Sequence, residues 1–364
     1  MSDTRQSIYY WKCDRPAAMH GVARSVESAE AHVLPKLKAL LTEAWRGPVK
    51  LTPAGGKGNH RTYLLEHDNE TLFVRVEDGP EGDGHLDVES RVMTEVAKTG
   101  VSVPRVRFTD ASRSKVPFAV QVIEYFDCTD LNQVHRAGRL PLLRIAGEIG
   151  RAVARWQAVP VGGFGPFDAQ ATRAGGSLIA HHRSYAVYFR LHLERHLGLL
   201  EADGFLSKAE AAEVRGVIER HAGLLDIGEG VLVHKDLALW NIMGTEDGIR
   251  AFIDWDDAIA GDPTDDLSLL ACFHPANVVQ AAIEGYASVR SLPEDFEPRF
   301  WLHLLRNMIV KSVIRCGAGY FNQTRGGAFL MAPGQDGPAF KVATREKLFS
   351  ACRGLDQARA LTHL

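Results

Sequence analysis

The stretch with the most chemistry per residue runs from Val231 to Leu267, VLVHKDLALWNIMGTEDGIRAFIDWDDAIAGDPTDDL. Three oxygen-bearing side chains, Asp236, Asn241 and Asp254, stand out by type and spacing. Val231 to Val233 is a short apolar strand signal, after which His234, Lys235 and Asp236 open a loop that ends at Asn241. Two β-prone runs follow, Ile242 to Gly244 and Ile249 to Ile253, joined around Asp247 and Gly248. Asp-Gly favours a two-residue type I′ turn, because both central residues need positive φ. With that centre Glu246 faces Ile249 and, down the ladder, Asn241 faces Asp254. An amide and a carboxylate then lie side by side at the open end of the hairpin, and the Asp236 loop leads into the same place.

One neutral and one charged hard oxygen suit Mg²⁺, which keeps several waters and completes its shell from substrate phosphates. A further carboxylate beside that ion can orient a hydroxyl nucleophile and accept its proton. The chemistry indicated is phosphoryl transfer. Singly, each residue has a plainer reading. Asp254 alone is a solvated carboxylate near a turn. Asp262 and Asp266 read as caps or hydrogen-bond braces of the loop. His234, following an apolar strand, reads as a buried hydrogen-bonded imidazole rather than a proton shuttle. The joint spacing carries the functional reading.

The remaining sequence must build elements that hold these groups. A helical pattern from about Ser28 to Trp45 stops at Gly47 and Pro48. Thr62 to His67 and Thr71 to Glu77 read as a hairpin, preceded by the Gly-rich stretch Gly55, Gly56, Lys57, Gly58. Strand alternation puts Leu72, Val74 and Val76 on one face, so Arg75 points away from it. From Asp87, Val88, Val92 and Val96 mark a helix ended by Gly100 and Pro104, with Glu89 in its first turn. Phe118 to Tyr125 is a dense apolar strand, and the polar run Asp127 to Asn132 reads as a lobe boundary. Beyond it the helical patterns Ile145, Ile149, Val153, Trp156 and Val214, Val217, Ile218, His221 make the second half helix-rich. GGFGPF, from Gly162 to Phe167, reads as an architectural aromatic turn, and His181 and His182 show no repeated metal-ligand spacing.

HKDLALWN fits HxDxxxxN, and FIDWDDAIAGDPTDDL fits IDWxxAxxGDPxxDL. With both motifs on opposite arms of one hairpin, the chain resembles the aminoglycoside phosphotransferase family of kinase-like small-molecule phosphotransferases. The resemblance covers Val49 to Leu267 as an order of lobes and is sharp from 231 to 267. It implies an α+β, two-lobe protein-kinase-like fold: an N-terminal extension over 1–48, a small β-rich N-lobe over 49–126, and a larger helical C-lobe over 127–364. It implies ATP and Mg²⁺, Asp236 as the catalytic aspartate, Asn241 and Asp254 as metal ligands, and His234 as a brace of the loop. Gly55 to Asn59, including Gly56, Lys57 and Gly58, resembles the nucleotide loop whose N–H groups lie over phosphates. Arg75 resembles the basic phosphate contact, paired with Glu89, with Lys57 as its rival. Glu124, Tyr125 and Phe126 resemble the hinge that meets adenine. An Arg in place of the kinase lysine is a planar fork that cannot lose its charge. Lys235 is bulkier than the small residue often found inside the triplet, and either touches phosphates or points into water.

The reaction expected is Mg-assisted phosphoryl transfer from ATP to a hydroxyl of a sugar, an aminosugar or aminoglycoside, or an amino alcohol. Asp256, Asp257 and Glu284 are candidates for an acidic patch that would suit a cationic acceptor. A protein kinase and a catalytically silent nucleotide-binding module are the alternatives, although nothing resembles the DFG to APE segment used for peptide docking.

Composition agrees with a soluble enzyme. The chain has 364 residues, 45% hydrophobic and 24% charged, with 42 basic against 45 acidic residues for a net charge of −3. Neither disorder nor a nucleic-acid partner fits that balance. Cys13, Cys128, Cys272, Cys316 and Cys352 are scattered without a CxxC pair, which fits a reducing cytoplasm. MSDTRQS has no apolar signal core and no stretch has the length of a membrane span, so no membrane partner is expected. The aromatic, basic cluster Tyr9 to Lys12 leaves three roles open: a core satellite, a cover for the active site, or a homodimer contact.

Overall fold

A computed structural model describes residues 26–55, 60–79, 82, 84–323 and 336–364. The chain divides into two compact units, one of residues 1–94 and 104–127, the other of residues 95–103 and 128–364. Gly56, Lys57, Gly58 and Asn59 of the expected nucleotide loop, and Tyr9 to Lys12, lie outside the described residues.

The first unit opens with α1 (Val26–Trp45) and continues through β1 (Lys50–Pro53), β2 (Arg61–His67), β3 (Glu70–Glu77), α2 (His85–Lys98), β4 (Val106–Asp110) and β5 (Ala119–Glu124). Its strands form an antiparallel sheet in the order β1-β2-β3-β5-β4. Asp68, with φ of 51°, opens the tight turn that joins β2 to β3. Leu72, Val74 and Val76 enter an apolar core with Tyr63, Leu65, Val120 and Val122. Val33, Leu37, Leu40 and Leu41 of α1, spaced as one helical face, complete that core, so the helix read as part of an N-terminal extension packs on the first sheet. Val88, Val92 and Val96 of α2 are all but inaccessible.

The second unit begins with α3 (Leu131–Arg136), α4 (Leu142–Trp156), β6 (Val161–Gly162), β7 (Phe164–Phe167), α5 (Ala169–Gly175), β8 (Leu178–His182), α6 (Tyr185–Arg190), α7 (Leu193–Ala202) and α8 (Lys208–Arg220). It continues with β9 (Val231–Val233), β10 (Ile242–Thr245), β11 (Gly248–Phe252), β12 (Ile259–Gly261), α9 (Asp265–Leu270), α10 (Ala276–Ala287), α11 (Phe296–Gly317) and α12 (Gly337–Asp356). β10 and β11 form their own two-stranded sheet, while β6-β8-β7-β12-β9 form another. GGFGPF is architectural: Gly165, at φ of 84°, lies where a Cβ would approach the Tyr188 ring to 2.6 Å.

Helices α4 and α10 meet backbone to backbone. A Cβ at Gly150 would fall 1.8 Å from the Ala282 carbonyl oxygen, and one at Gly285 would fall 2.1 Å from that of Gly147. This close approach matters to the site because α4 ends in Trp156 and Gln157. Tyr286 of α10 donates to Gln157 Oε1 at 2.7 Å, and Gln157 Nε2 donates to the Pro263 carbonyl at 2.8 Å, which anchors the GDPTDD segment. Among the described residues no helix is long and apolar enough to cross a membrane.

Candidate active site

In the second unit Asp236 is held at both carboxylate oxygens. Asn241 Nδ2 donates to Oδ2 at 3.0 Å and to the Asp236 carbonyl at 2.8 Å, while Lys311 Nζ of α11 donates to Oδ1 at 2.8 Å. Because the Asn241 amide spends its N–H groups on Asp236, its Oδ1 faces away as the atom able to bind a cation. Asp254 stands on the other arm of the hairpin, in the left-handed region with φ of 62° and ψ of 59°. Asp tolerates that region better than most residues, and such backbone collects at functional sites.

Ile253 ties these groups together. Its N–H donates to the Asn241 carbonyl at 3.0 Å, and its carbonyl accepts from His234 Nε2 at 3.0 Å. His234 Nδ1 in turn accepts the Asp236 N–H at 3.3 Å. The imidazole is wholly buried, with one nitrogen donating and the other accepting, which is the brace expected of it.

The hairpin register differs from expectation by one residue. Thr245 pairs with Gly248, so Glu246 and Asp247 form the turn, and Asp247 keeps a negative φ. Thr245 Oγ1 accepts the Asp247 N–H at 3.2 Å, while Arg139 and Arg144 hold the Glu246 carboxylate and carbonyl at 2.9 and 2.7 Å. These contacts outweigh the local Asp-Gly preference. A bulge then restores part of the shift: Met243 pairs with Ala251 and Gly244 with Ile249, leaving Arg250 as the extra residue. Ser102 Oγ donates to the Arg250 carbonyl at 2.5 Å and the Ser102 carbonyl accepts the Phe252 N–H at 3.0 Å. Asn241 therefore faces Ile253 rather than Asp254, which follows it.

Beneath the loop Asp266, wholly buried, accepts three N–H groups: those of His234 at 2.9 Å, Lys235 at 3.0 Å and Trp156 Nε1 at 3.2 Å. Burial pushes its carboxyl above the ordinary value, against those donors and His234. Lys235 is held in the left-handed region at φ of 70°. Its side chain does not point into water, one of the two expected settings; it is paired with Asp265 at 2.7 and 2.8 Å and with Asn307 Oδ1 at 2.9 Å. Although burial opposes ionisation, Lys235, His303 and Arg306 hold the Asp265 carboxyl below its usual range. Asp262 is likewise depressed against its burial, by His303 and by the Thr264 N–H and hydroxyl, and it also pairs with Arg299 at 2.8 Å. Trp156 and Trp255 meet edge to face at 5.2 Å, with the His234 ring 4.5 Å from Trp255. Such pairs contribute about 0.5–1.5 kcal/mol each beyond burial, so the loop rests on a rigid aromatic floor.

The first unit places Arg75 on the sheet face opposite Val74 and Val76. Arg75 Nη1 donates to Glu89 Oε1 of α2 and to Gln121 Oε1 at 3.3 Å, and Nη2 donates to His60 Nδ1 at 3.2 Å. Gln121, wholly buried, passes a hydrogen bond to Ser90 Oγ at 2.9 Å. The guanidinium is thus oriented from three sides. Glu124 ends β5, its side chain taken by the Arg105 N–H and Nε at 3.2 and 3.3 Å, and Phe126 follows half-buried.

With this geometry in hand, comparison decides the family: the phosphotransferase enzyme family model matches residues 50–301. The chain belongs to the phosphotransferase enzyme family. Solved structures agree on the fold. This phosphotransferase is similar to a thermostable mutant of aminoglycoside phosphotransferase APH(4)-Ia in a ternary complex with ADP and hygromycin B, at TM-score 0.62 and 15% identity over 87% of this chain and 98% of that one. A proposed fructosamine-3-kinase from Haemophilus somnus 129PT gives TM-score 0.57 and 13% identity over 88% and 98%. Macrolide 2′-phosphotransferase MphH from Brachybacterium faecium gives 0.50 and 20% over 89% and 99%. No curated protein matches the chain in sequence. The fold is kinase-like, with a β-rich N-terminal part and a helical C-terminal part, and the protein is a small-molecule phosphotransferase.

Of the residues chosen from sequence, Asp236 and Asn241 are hydrogen-bonded to each other, Asp254 directly follows Ile253, whose N–H binds the Asn241 carbonyl, and Arg75 and Glu89 form one pair. The candidates for an acidic patch do not share a setting: Asp256 is buried, Asp257 half-buried, and Glu284 exposed on α10 beside Gln280. Among the described residues no group of three His, Cys, Asp or Glu is placed to hold a metal; the neutral amide oxygen of Asn241 and the carboxylate of Asp254 are donors of the type that fits Mg²⁺ completed by phosphates and water. Sequence reasoning missed Lys311, Gln121 and His60. A signal for Lys311 existed: His303, Asn307 and Lys311 recur every fourth position in the otherwise mostly apolar run of α11.

Proposed function

We propose that the phosphotransferase moves the γ-phosphoryl group of ATP to a hydroxyl of a small molecule, a sugar, aminosugar or amino alcohol. The observation that carries this reading is the Asp236–Asn241–Ile253–His234 linkage. It holds the Asp236 carboxylate through the Asn241 amide, leaves Asn241 Oδ1 as the acceptor of that amide, and ties both to the Ile253 peptide that leads into Asp254, which supports a hydroxyl-orienting role for the first and a cation-binding role for the other two. Asp236 would orient the acceptor hydroxyl and take its proton as the phosphoryl group departs from ADP. Asn241 Oδ1 and Asp254 would hold Mg²⁺, which when bound supplies charge stabilisation on the phosphates. Arg75, oriented by Glu89, Gln121 and His60, would neutralise phosphate charge, with Gly56, Lys57 and Gly58 as the phosphate loop and Glu124 and Phe126 as the adenine hinge. ADP and hygromycin B bound to the similar aminoglycoside phosphotransferase support this class of substrates.

The test is a screen of hydroxylated metabolites and aminoglycosides for ATP consumption, with GTP in parallel and Mg²⁺ withheld in a control. ADP release coupled to one acceptor and dependent on Mg²⁺ is expected. Turnover on a peptide library with none on any small alcohol would overturn the reading.

A further inference from the structure

Helix α11 presents a polar stripe of His303, Asn307 and Lys311, which share one face because they are four residues apart. Each meets the catalytic segment or its braces in turn. His303 Nε2 lies 3.3 Å from Asp262 Oδ2, Asn307 Oδ1 accepts from Lys235 Nζ at 2.9 Å, and Lys311 Nζ donates to Asp236 Oδ1 at 2.8 Å. The first two contacts end on groups that only hold the loop. The third ends on the carboxylate that meets the acceptor. We propose that Lys311 is a positioning residue for phosphoryl transfer, acting through Asp236; this rests on the role given to Asp236 above.

A carboxylate turns about its Cβ–Cγ bond, and Asn241 fixes only Oδ2. The ammonium on Oδ1 fixes the second oxygen, so the plane of the Asp236 carboxylate is set before an acceptor arrives. Losing Lys311 alone takes that partner from Asp236, a cost to folding that melting curves read apart from turnover. Both members of the pair keep 14% of their side-chain surface exposed, and ion pairs of this kind add little net stability over apolar residues of similar volume. The Lys311 ammonium also stands 5.7 Å above the Phe273 ring, against which a methionine could pack in its place.

The experiment is a double-mutant cycle on the full chain with Lys311→Met, Asp236→Asn and both together, plus Lys311→Arg. Turnover is followed with the acceptor from the screen and, in every variant, as Mg-ATP hydrolysis by water. Lys311→Met is expected to lower kcat about 100-fold, the effect of misplacing a reacting group by about 1 Å, while KM for ATP changes less than about threefold. Lys311→Arg should recover most of the loss. In the Asp236→Asn background Lys311→Met should cost less than about twofold, since no carboxylate remains to be positioned. Melting curves show whether each variant folds; if Lys311→Met melts early, Lys311→Gln replaces it in the same cycle. Wild-type kcat in the Lys311 variant, or a full further loss in the double variant, overturns the proposal. Undiminished turnover in Asp236→Asn alone would instead remove the role of Asp236, and the proposal with it.

Discussion

Replacing Asp266 by Asn removes the support under the catalytic loop while changing almost no volume. Asp266 Oδ2 accepts from His234 N–H and Trp156 Nε1, and Oδ1 accepts from Lys235 N–H. An amide can keep its oxygen on the doubly used side, and its NH₂ group must then confront the Lys235 N–H. One charge-assisted hydrogen bond is lost, about 1.5–3 kcal/mol, and a buried donor is left without an acceptor, about 1–3 kcal/mol. Part of this is returned, because burial raises the Asp266 carboxyl and the neutral amide escapes that cost. A net destabilisation of about 2–4 kcal/mol follows, which for a large unit lowers Tm by roughly 5–15 °C. Lys235 would also lose the contact that holds its left-handed backbone, a conformation costing about 1–3 kcal/mol, so the loop should shift and kcat fall by about 100-fold. Thermal melting at pH 7 and ADP release measured side by side give both quantities. A variant that melts with the wild type and keeps its kcat would show that the three N–H contacts do not hold the loop.

Asp254→Ala should abolish turnover and the Mg²⁺-dependent part of nucleotide binding, whereas Asp236→Asn should spare binding and remove turnover; calorimetric titration with Mg-ADP separates the two, and equal behaviour would refute the division of roles. Arg75→Met should raise KM for ATP at least tenfold, about 1.4 kcal/mol, with Arg75→Lys intermediate because one ammonium cannot serve Glu89, Gln121 and His60 in the same fork; unchanged KM in both would count against a phosphate contact. Lys235→Met should destabilise by about 3 kcal/mol, since it takes the paired ammonium from the buried Asp265, and Lys235→Met with Asp265→Leu should recover most of that in a chemical denaturation series. Burial, aided by Arg306 and Arg195, lowers His192 to about 4 and His196 to about 3, and burial with His135 and Lys347 lowers His274 to about 4. Below the ordinary histidine value of 6.5 the unfolded chain takes up protons that the folded chain refuses. Stability should therefore fall from pH 6.5 toward 4, by up to about 1.4 kcal/mol per pH unit for each of His196 and His274, and by less for the more solvent-screened His192. Urea midpoints that stay flat across that range would contradict the burial of these rings.

What the sequence revealed depended on the range of the interaction that decided it. The HxDxxxxN spacing and the following GDP segment place Asp236, Asn241 and Asp254 because those positions are joined by short pieces of loop and hairpin. The strand alternation around Arg75 and the four-residue repeat of Val88, Val92 and Val96 were equally legible, since each is a local period. The hairpin register was not, because Arg139, Arg144 and Ser102, all distant in sequence, override the local turn preference and insert Arg250 as a bulge. The fate of Lys235 was hidden for the same reason: its partners Asp265 and Asn307 lie 30 and 72 residues away. The position of α1 in the first core also needed the sheet it packs on, as an amphipathic helix alone does not say which apolar surface it covers.

Ile253 joins the site through its main chain, binding the Asn241 carbonyl with its amide and the His234 ring with its own carbonyl. A displacement of the β10–β11 ribbon at this residue would therefore act on Asn241 and on the His234–Asp236 segment together, the groups proposed above to hold a cation and to orient a hydroxyl. A change that removes its amide hydrogen or tilts its peptide planes, proline above all, would break both links in a single step.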